Sequence, residues 1–140
     1  MRGPRGFTLL ELLMVVIIIG ILASIALPQY LRTAERARAA EALQNLAAIR
    51  SAELRFRTQD PAGNYTAVLT KLDIDVPGFG VNPVSPNWKF ECPLCSGIGS
   101  NATAERTGGG AVNGAKINID LDGGATCATI DVWGLPTAAC

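Results

Sequence analysis

Cys92-Pro93-Leu94-Cys95 carries the one cysteine spacing in this 140-residue chain that supports two kinds of chemistry, thiolate ligation of a metal and disulfide exchange. A zinc site of the paired type needs a second Cys-x-x-Cys, and Cys127 and Cys140 do not form one. A thioredoxin-like redox pair needs a βαβ setting, which the flanking sequence does not offer. Asp120-Leu121-Asp122-Gly123 places two carboxylates on one strand face and makes Asp120 and Asp122 weak calcium candidates. The EF-hand spacing and its terminal Glu are absent, so turn formation is the stronger expectation for that segment. The chain has no histidine, which removes histidine-based catalysis and the commonest metal ligand. No Ser/His/Asp set, glycine-rich phosphate loop or catalytic carboxylate pair is present, so the sequence points away from an enzyme and implies no cofactor. Asn64-Tyr65-Thr66 and Asn101-Ala102-Thr103 fit the N-glycosylation pattern, which arises often by chance.

The remaining chemically notable residue is Glu11. It is the only charged side chain between Phe7 and Leu27, in the run GFTLLELLMVVIIIGILASIAL. That run is long enough to cross a hydrocarbon layer of about 30 Å as a helix. Arg2 and Arg5 precede it and favour a cytoplasmic N-terminus. An ordinary secretory signal fits poorly, because no small-x-small site follows cleanly before Pro28. A plain membrane anchor accounts for the apolarity but not for an acid placed so early in it. A charge inside a membrane span is expensive and calls for a partner.

Gly6-Phe7-Thr8-Leu9-Leu10-Glu11-Leu12, with Gly20 and Pro28 further on, resembles the class III signal of type IV pilins and type II secretion pseudopilins. The resemblance is dense from Gly6 to Pro28 and fades to general pattern beyond about Phe56. It implies cleavage between Gly6 and Phe7 by a prepilin peptidase and methylation of the new amine of Phe7. The cationic amine so formed lies one helical turn from Glu11, on the same chain or on a neighbouring copy. Two opposite charges 4 Å apart gain about 4 kcal/mol at an effective dielectric near 20, so an unpaired Glu11 would be a penalty that assembly removes. In this family the segment between the equivalents of Gly20 and Pro28 loses helicity in filaments.

Glutamine 29 to Thr58 contains neither Gly nor Pro and is rich in strong helix formers. Ala39, Ala42, Leu46, Ile49 and Phe56 form one apolar stripe, expected to pack on the protein's own sheet. Phe7 to Thr58 as one helix would run about 78 Å. Pro28 is expected to kink it and Gly20 to weaken the preceding turn. Beyond it, Asp60-Pro61, Gly63-Asn64, Pro77-Gly78 and Pro83 mark a connecting loop. Strands are expected at Asn87–Cys92, Ala115–Leu121 and Thr126–Trp133, the last two joined by the turn Asp122-Gly123-Gly124-Ala125. Ser96–Gly114 is small and polar and reads as a loop. The expected fold is α+β: a long N-terminal helix on a three- or four-stranded antiparallel sheet. Its parts are a leader over 1–6, a membrane and filament-core helix over 7–27, an amphipathic helix over 28–58 and a head over 59–140.

A head of that size has little core and calls for covalent staples. Cys92, Cys95, Cys127 and Cys140 therefore predict two disulfides among three pairings. Joining Cys127 to Cys140 is preferred, because it ties the C-terminus to the hairpin and leaves Cys92 with Cys95. Charge is zero overall but uneven: six Arg against three Glu between Pro28 and Thr58, then four cations against eight acids from Gln59 onward. A basic stem and an acidic head suit packing between copies, and the neutral total gives no case for nucleic acid. The resemblance implies a pilus subunit, with a type II secretion pseudopilin as the alternative. Its partners would be other copies in a helical filament, prepilin peptidase, the inner membrane and the assembly machinery. It would reside in the inner membrane before joining a surface filament.

Overall fold

The structure is a computed structural model that describes residues 6–68, 71–78, 85, 87–92, 95, 100–110 and 112–137. The chain divides into two units, Met1–Ala34 and Glu35–Cys140. One helix, α1 (Leu9–Gln59), contributes to both.

In the first unit, residues 9–27 of α1 are almost all apolar, and all of them are exposed. It is long and apolar enough to cross a membrane. Helix continues through Gly20 and Pro28 without interruption. That agrees with the cost of unpaired backbone groups in hydrocarbon, which favours helix in a single chain. Two hydroxyls in and just after this stretch turn inward on the backbone: Ser24 Oγ donates to the Ile21 carbonyl (2.7 Å) and Thr33 Oγ1 to the Gln29 carbonyl (3.0 Å).

In the second unit the apolar stripe turns inward. Ala39, Ala42, Leu46, Ile49 and Ala52 are buried, and Phe56 is partly buried at the same core. They pack on a four-stranded antiparallel sheet of β1 (Trp88–Glu91), β2 (Asn101–Arg106), β3 (Lys116–Asp120) and β4 (Thr126–Ala128), in that order. The register aligns Phe90, Ala104, Ile117 and Ala128 in one row across the sheet, and all four are buried. The opposite face carries Lys89, Glu105 and Lys116 as successive neighbours, so charge alternates along a row. The small Ala39 and Ala42 leave room for Trp88, whose indole Nε1 donates to the Arg38 carbonyl (3.0 Å).

Two expectations are corrected. The segment read as a loop over Ser96–Gly114 holds β2, an interior strand of the sheet. Its burial alternates strictly, but the buried residues are two alanines and an arginine, so hydropathy conceals the period. The third expected strand stops at Ala128, and Asp131–Trp133 is a 3-10 turn closed by Gly134 at φ 74°. That turn brings Trp133 onto Trp88, with ring centroids 5.3 Å apart. Trp88, Trp133 and Tyr65 are all core residues; Phe79 lies outside the described residues.

Candidate functional site

Helix α1 starts with its own cap. Thr8 precedes the first helical residue, and Glu11 stands three places later, the arrangement of a capping box. Glu11 N–H donates to Thr8 Oγ1 (3.2 Å), while Glu11 Oε2 accepts the Thr8 N–H (3.0 Å) and hydroxyl (2.8 Å). In a single chain, then, Glu11 is hydrogen-bonded by the start of its own helix, and these neutral donors bring no counter-charge. It satisfies one backbone donor, the Thr8 N–H, that hydrocarbon would otherwise leave orphaned. All its side-chain bonds use Oε2, and Oε1 takes no part in them. Gly6 and Phe7 precede the helix and are exposed. A Cβ at Gly6 or Gly20 would meet no atom within 4 Å, so neither glycine is required by packing inside this chain.

The hairpin turn between β3 and β4 holds the calcium candidates, and both have other work. Asp120 Oδ1 and Oδ2 accept the N–H groups of Asp122 (3.2 Å) and Gly123 (2.9 Å), which shapes the turn. Asp122 Oδ1 accepts from Tyr65 Oη (2.7 Å) and Arg57 Nη1 (2.5 Å). Arg50 reaches the same turn, with Nε on the Leu121 carbonyl and Nη2 on the Asp122 carbonyl, each 2.9 Å. Two guanidinium groups thus lie on this turn, one on the Asp122 carboxylate and one on its backbone carbonyls. Burial, with the hydrogen bond to Asp122 added, raises the Tyr65 phenol above its ordinary value. Arg55 holds Asp73 through two bonds (2.9 and 2.7 Å). Stem arginines therefore satisfy head acids within one chain, which removes part of the charge expected to act between copies.

Two charged clusters escaped sequence reasoning. Arg106 is 2 % exposed, sits over the Trp88 ring and donates to Glu35 (3.4 and 3.5 Å) and to the Asn87 carbonyl (3.0 Å). Burial pushes the Glu35 carboxyl up, but hydrogen bonds from Arg106 and Arg38 outweigh it and hold the group below its ordinary value. Glu53 is fully buried on α1. Its Oε2 accepts the Thr66 N–H (3.0 Å), and desolvation raises its pKa. The only sequence signal for Glu53 is its place beside Ala52 on the buried stripe. For Arg106 it is the period-2 position at the end of β2.

Cys92 and Cys95 form a disulfide with Cα atoms 5.3 Å apart. Cys127 is also disulfide-bonded, and Cys140 lies outside the described residues, as do Arg2 and Arg5.

An exposed apolar helix start, long enough to cross a membrane and begun by an acid-containing cap, together with a stapled α+β head, defines the class of fold. Residues 1–27 match the family described as the prokaryotic N-terminal methylation motif. Over 98 % of its length the chain is 31 % identical to fimbrial protein Q of Moraxella bovis, of which the match covers 86 %. On that full-length match, this chain belongs to the type IV pilin, or fimbrial protein, family. Shorter matches join it to the type IV major pilin protein PilA of Myxococcus xanthus, 50 % identical over 37 % of this chain, and to the type II secretion system core protein G of Dickeya chrysanthemi, 40 % identical over 36 %. These matches span only 24 % and 33 % of the two relatives.

Proposed function

We propose that this chain is the structural subunit of a type IV pilus. In this reading prepilin peptidase cuts between Gly6 and Phe7 and methylates the Phe7 amine. Residues 7–27 hold the subunit in the inner membrane and then line the filament core; 28–58 and 59–140 form the amphipathic helix and the head. Adhesion, twitching motility or DNA uptake would be activities of the assembled surface filament. The observation that carries the proposal is a helix start whose apolar side chains are all exposed, with one capped acid among them. Glu11 Oε1, which has no partner among the described residues, is open to an amine of an incoming copy while Oε2 keeps its cap. Gly20 costs about 1 kcal/mol of helix propensity without serving this chain's packing, which supports a role for it in a bundle of copies.

Mass spectrometry of the mature chain tests the processing step. The expected product lacks Met1 to Gly6 and carries one added methyl on Phe7; an intact leader would defeat the proposal. Glu11→Leu should abolish filaments while the subunit remains in the membrane. The second reading, a subunit of a type II secretion pseudopilus, draws on the likeness to core protein G. Filament length in cells separates them: long surface fibres favour the pilus, and short periplasmic ones the pseudopilus. The arginine clasp on Asp122 favours a head that holds its hairpin without calcium.

A further inference from the structure

Glu53 is an acid of which the fold uses only one oxygen. Its side chain is fully buried, one oxygen suffices for the Thr66 N–H, and Oε1 is buried with no hydrogen-bond partner among the described residues. That second oxygen carries the cost of a buried polar atom without a partner, a cost that a ligand would relieve. What faces it is sulfur. One donor atom each from Glu53, Cys92 and Cys95 lies within 4.8 Å of the other two, and all three residues are buried.

We infer that Glu53, Cys92 and Cys95 form a site for a thiophilic divalent cation, zinc or cobalt in class, in the reduced chain, and that closing the Cys92–Cys95 disulfide shuts it. Two thiolates and a carboxylate suit such a cation and not calcium or magnesium. Tetrahedral ligation, with bonds of about 2.3 Å to sulfur and about 2.0 Å to oxygen, sets ligand atoms roughly 3.5–3.8 Å apart, so the two joined sulfurs must separate while the Glu53 oxygen stays within reach. Rotation of the released Cys side chains supplies that adjustment. While the sulfurs are joined, neither can act as a thiolate ligand. Opening takes two electrons and two protons: a dithiol is oxidised to its disulfide, and Cys92 and Cys95 become thiols. Metal binding then releases one proton from each thiol, and the Glu53 carboxylate supplies the third donor. The inference does not depend on filament assembly.

The test uses the full chain in detergent, reduced anaerobically with a phosphine and titrated with Co2+. The reduced protein should develop a sulfur-to-cobalt charge-transfer band with tetrahedral ligand-field bands, and the oxidised protein should not. X-ray absorption at the cobalt edge should count two sulfur neighbours at about 2.3 Å and lighter atoms at about 2.0 Å. Glu53→Gln keeps an acceptor for Thr66 and should weaken Co2+ binding by about 10- to 100-fold. Cys127→Ser with Cys140→Ser should leave the band in place. The inference is overturned if the reduced chain gives no band, if Glu53→Gln binds as tightly, or if the band survives Cys92→Ser with Cys95→Ser. Circular dichroism checks that each variant is folded, and the sulfur count in the native sequence decides independently of any variant.

Discussion

Arg106 ends β2 as a cation almost wholly removed from water, and Glu35 is the carboxylate that makes this tolerable. Replacing Glu35 with Gln keeps the shape and leaves the guanidinium short of a counter-charge. A loss of about 3 kcal/mol is expected, because an uncompensated buried charge costs more than the intact pair gains. Urea unfolding of the full chain in detergent, followed by Trp88 and Trp133 fluorescence, measures it. The pH dependence has a definite sign. In the folded chain Glu35 titrates below its ordinary value of 4.5, so between the two values the unfolded chain binds more protons. The pair's contribution is therefore complete above 4.5 and fades as pH falls through the folded-state value. The gap between native and Glu35→Gln stabilities should shrink on acidification. Gly108 belongs to the same site: a Cβ there would overlap the Arg106 guanidinium. At the other end of the chain, Thr8→Ala removes the cap and should cost about 1 kcal/mol, seen as faster amide exchange at the first turn of α1 in micelles.

Strand β2 shows how an element can hide in a sequence. Asn, Ala and Glu are poor strand formers, Thr103 is the one favourable residue, and the stretch sits among glycines. Its neighbours supply what it lacks: β1 and β3 pair with it on both sides and place Ala102 and Ala104 under α1. Alanines fit there because the helix comes close; larger side chains would push it away. Ala104→Asp distinguishes strand from loop sharply. A loop would tolerate it, whereas a carboxylate at a fully buried strand position should cost at least about 3 kcal/mol and prevent the head from folding. Loss of the tryptophan unfolding transition would report that outcome. Helix α1 is the opposite case, since its apolar stripe from Ala39 to Ile49 was legible from spacing alone. The strand expected to run to Trp133 ended early because the core beside Trp88 takes an indole that only a turn can deliver.

Across the head as a whole, the basic stem and acidic residues meet inside one molecule. Arg50 and Arg57 clasp the β3–β4 turn through Asp122 and its neighbour, with Tyr65 closing the group. Arg57 and Asp122 are both partly exposed, so solvent weakens their mutual attraction. A double-mutant cycle on Arg57→Ala and Asp122→Ala should give a coupling of about 0.5–1 kcal/mol, reduced in high salt. The same clasp predicts that calcium or a chelator leaves the head's unfolding midpoint unchanged.

The sequence by itself determined the helix with its exposed apolar start, the lone acid within it, the buried stripe and the supply of disulfide cysteines. Each of these is written in neighbouring residues, through composition or a short period. Only the tertiary structure decided that β2 is a strand, that Tyr65 and Arg50 meet the hairpin turn across 57 and 71 residues, and that Glu35 pairs with Arg106 across another 71. Such pairings depend on how far the helix lies from the sheet and which side chains fill the gap. No local pattern encodes that distance, because the packing of all the core residues sets it together.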